Sequence, residues 1–147
     1  MERLKVRIIN QSANNLPAYA TEGSSGMDIR ANLAQPLSIP ASARVLVPTG
    51  LYLELPEGYE AQVRPRSGLA VKQGITCLNT PGTIDSDYRG EIRVLLINLS
   101  TEEQVIHPAD RIAQLVVQKV ERVLWEETGN IAETLRGEGG FGHTGIK

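Results

Sequence analysis

The chain has 147 residues, 41% of them hydrophobic, and a formal net charge of −2. That length fits one domain with a sizeable core, and the weakly acidic balance excludes a nucleic-acid coat as an expectation, so any anionic ligand must be met by local Arg and Lys. A single cysteine, Cys77, excludes an intramolecular disulfide and suits a reducing compartment.

No apolar run approaches the length of a membrane span, and the opening MERLKVRIIN mixes charged and apolar residues unlike a signal peptide. A cytoplasmic protein without a membrane partner is expected. In chain order, Leu4, Val6 and Ile8 alternate with Lys5, Arg7 and Ile9, the period of a half-buried strand. A long polar connection follows, NQSANNLPAYATEGSSG, and then a short strand-like stretch from Met27 to Ala31. Pro36 and Pro40 bracket Leu37 and Ile39. Ala43 to Val47 and Leu51 to Leu55 read as two strands separated by Pro48, Thr49 and Gly50. Tyr59, Ala61 and Val63 share one face; Glu60, Gln62 and Arg64 share the other. Ser67 to Gln73 is the one helix expected, with Ser67 as its cap and Gly74 as its stop. Cys77 lies in the apolar run Ile75 to Leu78 and reads as a buried structural thiol. Glu91 to Leu99 and Arg111 to Val120 are longer strands rich in Val, Ile and Leu. Short strands punctuated by Gly and Pro indicate an all-β sandwich or barrel.

Four stretches carry residues suited to chemistry. LNTPGTIDSDYRGE, 78–91, sets Asp85 and Asp87 in a turn beside Tyr88. It reads either as a β-hairpin whose acids cap turns, or as a carboxylate beside a ring on which a flat ligand stacks. RPRSGLA, 64–70, places Arg66, Ser67 and Gly68 at the helix mouth, which suits either an anion site or a plain cap beside a solvated Arg. In DRIAQL, 110–115, Arg111 and Gln114 fall on opposite faces of a regular strand, as in an ordinary strand with a polar start. The tail RGEGGFGHTGIK, 136–147, holds five Gly. It nearly matches a phosphate-binding P-loop, but His143 replaces the Lys and no helix follows. It reads as a frayed terminus, or as a flexible arm whose Phe141 stacks on a base while backbone N–H groups bind phosphate oxygens. No His/Cys/Asp cluster has metal-ligand spacing.

With SGMDIRA at 25–31 as a fifth segment, these stretches, in this order, resemble the five motifs of the trimeric dUTP pyrophosphatase (dUTPase) family. The resemblance covers residues 25–145 and departs at His143, where the family usually carries a small hydroxyl residue. It implies a jelly-roll-like β-barrel spanning 1–135, with 136–147 as a flexible Gly-rich arm that closes over the active site. It implies a homotrimer with sites shared between subunits. It further implies hydrolysis of dUTP to dUMP and pyrophosphate, with Mg²⁺ held mainly by the triphosphate. Carried over, Asp85 is the base for the attacking water. Asn79 binds the uracil edge, and Tyr88 packs under the deoxyribose. Arg66, Ser67, Gly68 and Gln114 hold the phosphates. Asp28 meets the metal through water, and Arg136 and Phe141 arrive on the arm for the γ-phosphate and the uracil face. Two rival readings remain: a dCTP deaminase-like enzyme on the same scaffold, and a non-catalytic trimeric β-module that binds a partner through its tail.

Overall fold

The computed structural model describes residues 2–146. Ten strands and one short helix form in the order β1 Arg7–Asn10, β2 Met27–Arg30, β3 Leu37–Ile39, β4 Arg44–Glu54, β5 Tyr59–Arg64, α1 Ser67–Gln73, β6 Ile75–Cys77, β7 Gly82–Ile84, β8 Ile92–Asn98, β9 Gln104–Ile106 and β10 Arg111–Lys119. They build two four-stranded sheets, β1-β4-β8-β6 and β2-β10-β5-β7, and a small pair β3-β9. Every strand pair is antiparallel. The architecture is the jelly-roll-like all-β fold expected.

Alternation sets the core. In β8, Ile92, Val94 and Leu96 are buried while Arg93 points out. In β5, Ala61 and Val63 are buried as their shared face predicts. These residues meet Ile29, Val47, Leu51, Ile112 and Leu115 in one apolar cluster. Each fully buried Leu or Ile contributes about 1.5–3 kcal/mol, and cutting Leu96 to Ala removes about 2–5 kcal/mol because a cavity remains. Cys77 is buried with them and is a free thiol. Desolvation pushes its pKa up from 9.0 to about 11, which matches the inert structural thiol expected. The buried Asn98 is fully paired. Its amide donates to Ile39 O and Glu102 O at 2.9 and 2.8 Å, and its Oδ1 accepts from the Ser100 N–H and hydroxyl at 2.9 and 2.7 Å. A buried amide without such partners costs several times more than the net value of the bonds.

Four expectations change. The first strand begins at Arg7 rather than Leu4, because its partner β4 runs out at Glu54, opposite Arg7. The two strands expected around Pro48 are one strand with a bulge between Pro48 and Leu51. Gly50 takes a φ of +70° there. The Thr49 hydroxyl donates to Ile92 O at 2.5 Å and accepts from the Leu51 N–H at 3.2 Å, replacing ladder bonds that proline and the bulge forfeit. Ser67 does not cap α1: Arg66 is the N-cap, in extended conformation, and no side chain caps the helix. Gly74 does stop it, at φ 66°, where a Cβ would also lie 3.0 Å from Ser100. Finally, β9 goes unread in the sequence because three residues are too few for a period to show.

Regular structure ends at Lys119, well short of residue 135. Residues 120–146 carry no helix or strand, and Leu124 and Trp125 in that stretch are 96% and 88% exposed. The last residue of the expected arm, Lys147, lies outside the described residues.

Candidate active site

The segment 78–91 is not a hairpin. β7 pairs with β5, whereas β8 pairs with β4 and β6 in the other sheet. The chain therefore crosses between sheets, and the crossing is where the acids sit. Buried Gly82 and Ile84 anchor its start and buried Ile92 its end, which forces the polar residues between them outward. Asp85 follows β7 directly and is exposed. Its carbonyl accepts from the Tyr88 N–H at 3.1 Å, closing a turn. Asn79 reaches back over Gly82, where an added Cβ would lie 3.4 Å from its amide nitrogen. Asn79, Gly82, Asp85, Tyr88, Val63 and Leu46 line part of one cavity of about 290 Å³. Among the described residues Asp85 takes part in no ion pair.

A second group forms around Asp28 on β2. Arg66 Nε donates to its Oδ1 at 3.1 Å, Gln114 Nε2 to the same oxygen at 3.3 Å, and Arg111 Nη1 lies 3.5 Å from Oδ2. Arg66 Nη1 also donates to Arg111 O at 3.2 Å. Arg66 and Asp28 are each about three-quarters buried at the side chain. Ser67 and Gly68 follow Arg66, both exposed, with open space where a Gly68 side chain would stand. Sequence parity puts Arg111 and Gln114 on opposite faces, yet both reach Asp28. The register slips between Arg111 and Ala113, a bulge that turns three residue steps into the equivalent of two. Ile112 and Ala113 are adjacent and both buried at the slip, but so are Leu115 and Val116 where the pairing is regular, so the sequence pattern alone carried no signal for the bulge. Arg111 is thus part of this group, a residue to which the sequence reading assigned no site role.

The two groups stand apart. Asp28 lies on β2 and Asp85 just after β7, the two edge strands of one sheet with β10 and β5 between them. Three strand spacings separate them laterally by roughly 14 Å. The arm forms a third group. Phe141 is fully exposed at φ 47°, and Arg136 Nε donates to Gly139 O of its own turn at 2.6 Å. Neither residue lines the Asp85 cavity.

No group of three or more His, Cys, Asp or Glu is placed to hold a divalent cation among the described residues. Asp28 already accepts from two side chains and forms an ion pair with a third, although a carboxylate offers about four acceptor positions. The described residues therefore form no metal cage. An ion that brings most of its own oxygen ligands, such as one riding on a triphosphate, fits beside Asp28 through water.

Guanidinium groups pre-ordered by a carboxylate suit phosphate oxygens. A small cavity with an amide, a ring and an acid suits a base and its sugar. The class so defined is a nucleotide-binding β-barrel. The comparisons narrow it. The dUTPase family model matches residues 12–145. The deoxyuridine 5′-triphosphate nucleotidohydrolase of Fusobacterium nucleatum is 54% identical over 145 residues, covering 99% of both chains. That of Rickettsia conorii is 54% identical over 98% of this chain and 97% of its own. A Staphylococcus bacteriophage 80alpha dUTPase solved with dUPNHPP superposes with a TM-score of 0.82 over 97% of this chain and 99% of its own, at 20% identity. A variant dUTPase of phage phi11 of S. aureus, described as coordinating a structural Mg(II) ion, superposes at 0.78 over 88% and 100%, at 17% identity. The chain belongs to the dUTPase family.

Proposed function

We propose that this chain is a dUTP diphosphatase, an enzyme that hydrolyses dUTP to dUMP and pyrophosphate. Family membership and relatives at 54% identity named deoxyuridine 5′-triphosphate nucleotidohydrolase support the reaction. The observation that carries the site is Asp85, an exposed carboxylate without an ion pair among the described residues, in one cavity with Asn79 and Tyr88. A carboxylate in hydrogen-bond reach of a water is able to take its proton. That water attacks the α-phosphorus. A P–O bond forms there, the bridge to the β-phosphate breaks, and pyrophosphate leaves with the electron pair. Such chemistry needs alignment and charge neutralisation more than covalent help. Arg66, Gln114 and the open Ser67–Gly68 corner hold the phosphate chain. Asn79 reads the uracil edge, and Tyr88 lies beneath the deoxyribose where a 2′-hydroxyl would collide. Arg136 and Phe141 come in on the arm, with the Gly-rich stretch as hinge. The substrate is the Mg²⁺ complex of dUTP, and Asp28 is the residue that would meet the waters around the ion. Bound there, Mg²⁺ supplies charge neutralisation at the phosphate oxygens.

Within one subunit the Asp28 group, the Asp85 cavity and the arm stand apart. The separation of Asp28 from Asp85 across a sheet, together with a detached arm, supports a homotrimer in which neighbours complete each site. Exposed Leu124 and Trp125, ahead of the arm, supply apolar surface for such an assembly. A cytoplasmic setting completes the reading, supported by the lone unpaired thiol of Cys77. No helix among the described residues is long and apolar enough to cross a membrane. The deciding experiment offers purified protein a panel of deoxynucleoside triphosphates with Mg²⁺. Pyrophosphate release from dUTP is expected. Ammonia release from dCTP, or no turnover of any nucleotide, would overturn the reading.

A further inference from the structure

The Tyr88 ring is held by more than its own turn. Its hydroxyl donates to Glu91 O at 2.9 Å. The ring lies directly over Gly90: a Cβ built there would overlap the hydroxyl, and would stand 2.5 Å from Cζ and 2.9 Å from Cε1. Only glycine leaves this space, so any side chain at 90 must evict the ring and break its bond to Glu91. Glu91 is itself fixed from outside the turn. Its Oε2 accepts from the Gly50 N–H at 2.9 Å, and Gly50 is the φ +70° residue of the β4 bulge. Gly50 is held on its other side as well, its carbonyl accepting from the Gln11 N–H at 2.8 Å. Arg89 closes the remaining side, its Nη1 donating to Ser86 O at 2.6 Å and Tyr88 O at 3.2 Å. A ring that is 43% exposed would otherwise sample several rotamers freely.

We propose that Gly90 and the Glu91 carboxylate form a seat that fixes the Tyr88 ring, and that this seat, tied to the β4 bulge, sets the preference for deoxyribose over ribose. The proposal rests on Tyr88 packing under the sugar. Both members are positioning residues, since they act through the ring. Excluding one hydroxyl by contact requires the ring to be placed to a few tenths of an ångström. A mobile ring yields to the 2′-hydroxyl, whereas a seated one cannot.

The test is the ratio of kcat/KM for dUTP to that for UTP in Y88A, G90A, E91A, E91Q and the double variant Y88A/G90A. NMR of labelled tyrosine rings and a melting curve accompany each single variant. In G90A the Tyr88 ring resonances should shift and the ratio should fall at least ~10-fold. E91A should lower the ratio in the same direction. E91Q should keep it within about twofold, because the amide oxygen still accepts the Gly50 N–H. Once the ring is gone the seat has nothing to hold, so adding G90A to Y88A should change the ratio no further. A wild-type ratio in G90A beside a lowered one in Y88A overturns the seat alone. So does a G90A effect that persists in the Y88A background. An unchanged ratio in Y88A removes the sugar role of Tyr88 and the seat with it, while turnover of dUTP leaves the hydrolase reading standing. Should E91A fail to fold, G90A and the double variant decide alone.

Discussion

Asp28 and Asp85 sit at opposite edges of one sheet in opposite physical situations. Asp28 is about three-quarters buried and is met by Arg66, Arg111 and Gln114. Asp85 is exposed on a crossing between sheets, and among the described residues it makes no ion pair. The first carboxylate is spent on ordering cations and an amide. The second is left without an ion pair among the described residues. A carboxylate held among guanidinium groups organises cations, whereas one left open in a small cavity is accessible to a water. The difference supports the separate roles proposed for the two residues.

The largest effect expected tests the free carboxylate. Asp85→Asn keeps shape and removes the proton acceptor. Hydrolysis of dUTP should fall by at least ~10²-fold while nucleotide binding is largely kept. Melting temperature should stay within about 1 °C, since an exposed residue without ion pairs carries little stability. Near-normal turnover, measured by pyrophosphate release, would erase the contrast between the two aspartates.

The next effect asks whether the two edges meet through a neighbour. Truncation after Leu135 removes Arg136, Phe141 and the arm glycines but none of the ten strands. The shortened protein should fold and assemble as before, with turnover reduced at least ~10-fold for loss of closure. Refolding truncated chains together with full-length Asp85→Asn chains should then restore activity above the sum of the parents. A site in a mixed trimer can draw its arm from one chain and its Asp85 from another. Strictly additive activity, with exchange confirmed by native mass, would place arm and Asp85 on the same chain.

The sequence made the Asp85 side legible earlier than the Asp28 side, for a physical reason. The residues from Asn79 to Glu91 are contiguous, and buried Ile84 and Ile92 frame them, so short-range pattern suffices to bring them together. What it misread there was long-range: β7 and β8 join different partners, and no local period reports that. The Asp28 group gathers residues from β2, the approach to α1 and β10, so only motif resemblance could join them beforehand. Its one geometric deduction, that Arg111 and Gln114 oppose each other, failed at a bulge. The same device hid the continuity of β4 across Pro48. Both bulges stand beside candidate site residues. Alternation is least reliable where strands are bent to aim side chains.

A smaller effect separates the aspartates by stability. Asp28→Ala leaves Arg66 and Arg111 without their carboxylate in a partly buried setting. This should cost about 1–2 kcal/mol, or roughly 3–6 °C in melting temperature. Asp85→Ala should cost almost none. Equal shifts in the two variants, read by calorimetry, would show that the Asp28 pairs contribute no more than surface ion pairs do.

The smallest effect belongs to the scaffold beneath both regions and guards against misreading alkaline rate losses. Cys77 holds its proton more tightly when folded, with its pKa pushed from 9.0 to about 11 by burial. A raised folded pKa means that the unfolded chain loses this proton first as pH rises. The thiol therefore costs no stability below about pH 9 and becomes progressively destabilising toward pH 11. Cys77→Ala removes that dependence and pays about 1 kcal/mol for the vacated volume at all pH values. The melting curves of wild type and variant should run parallel through neutral pH and converge above pH 9. If activity and wild-type stability decline together there, the loss is of the fold and strikes both aspartates alike. If activity falls while the melting temperature holds, the loss is at the site. Curves that stay parallel to pH 11 would show that the thiol ionises alike in the folded and unfolded chain, contrary to the shift assigned to it.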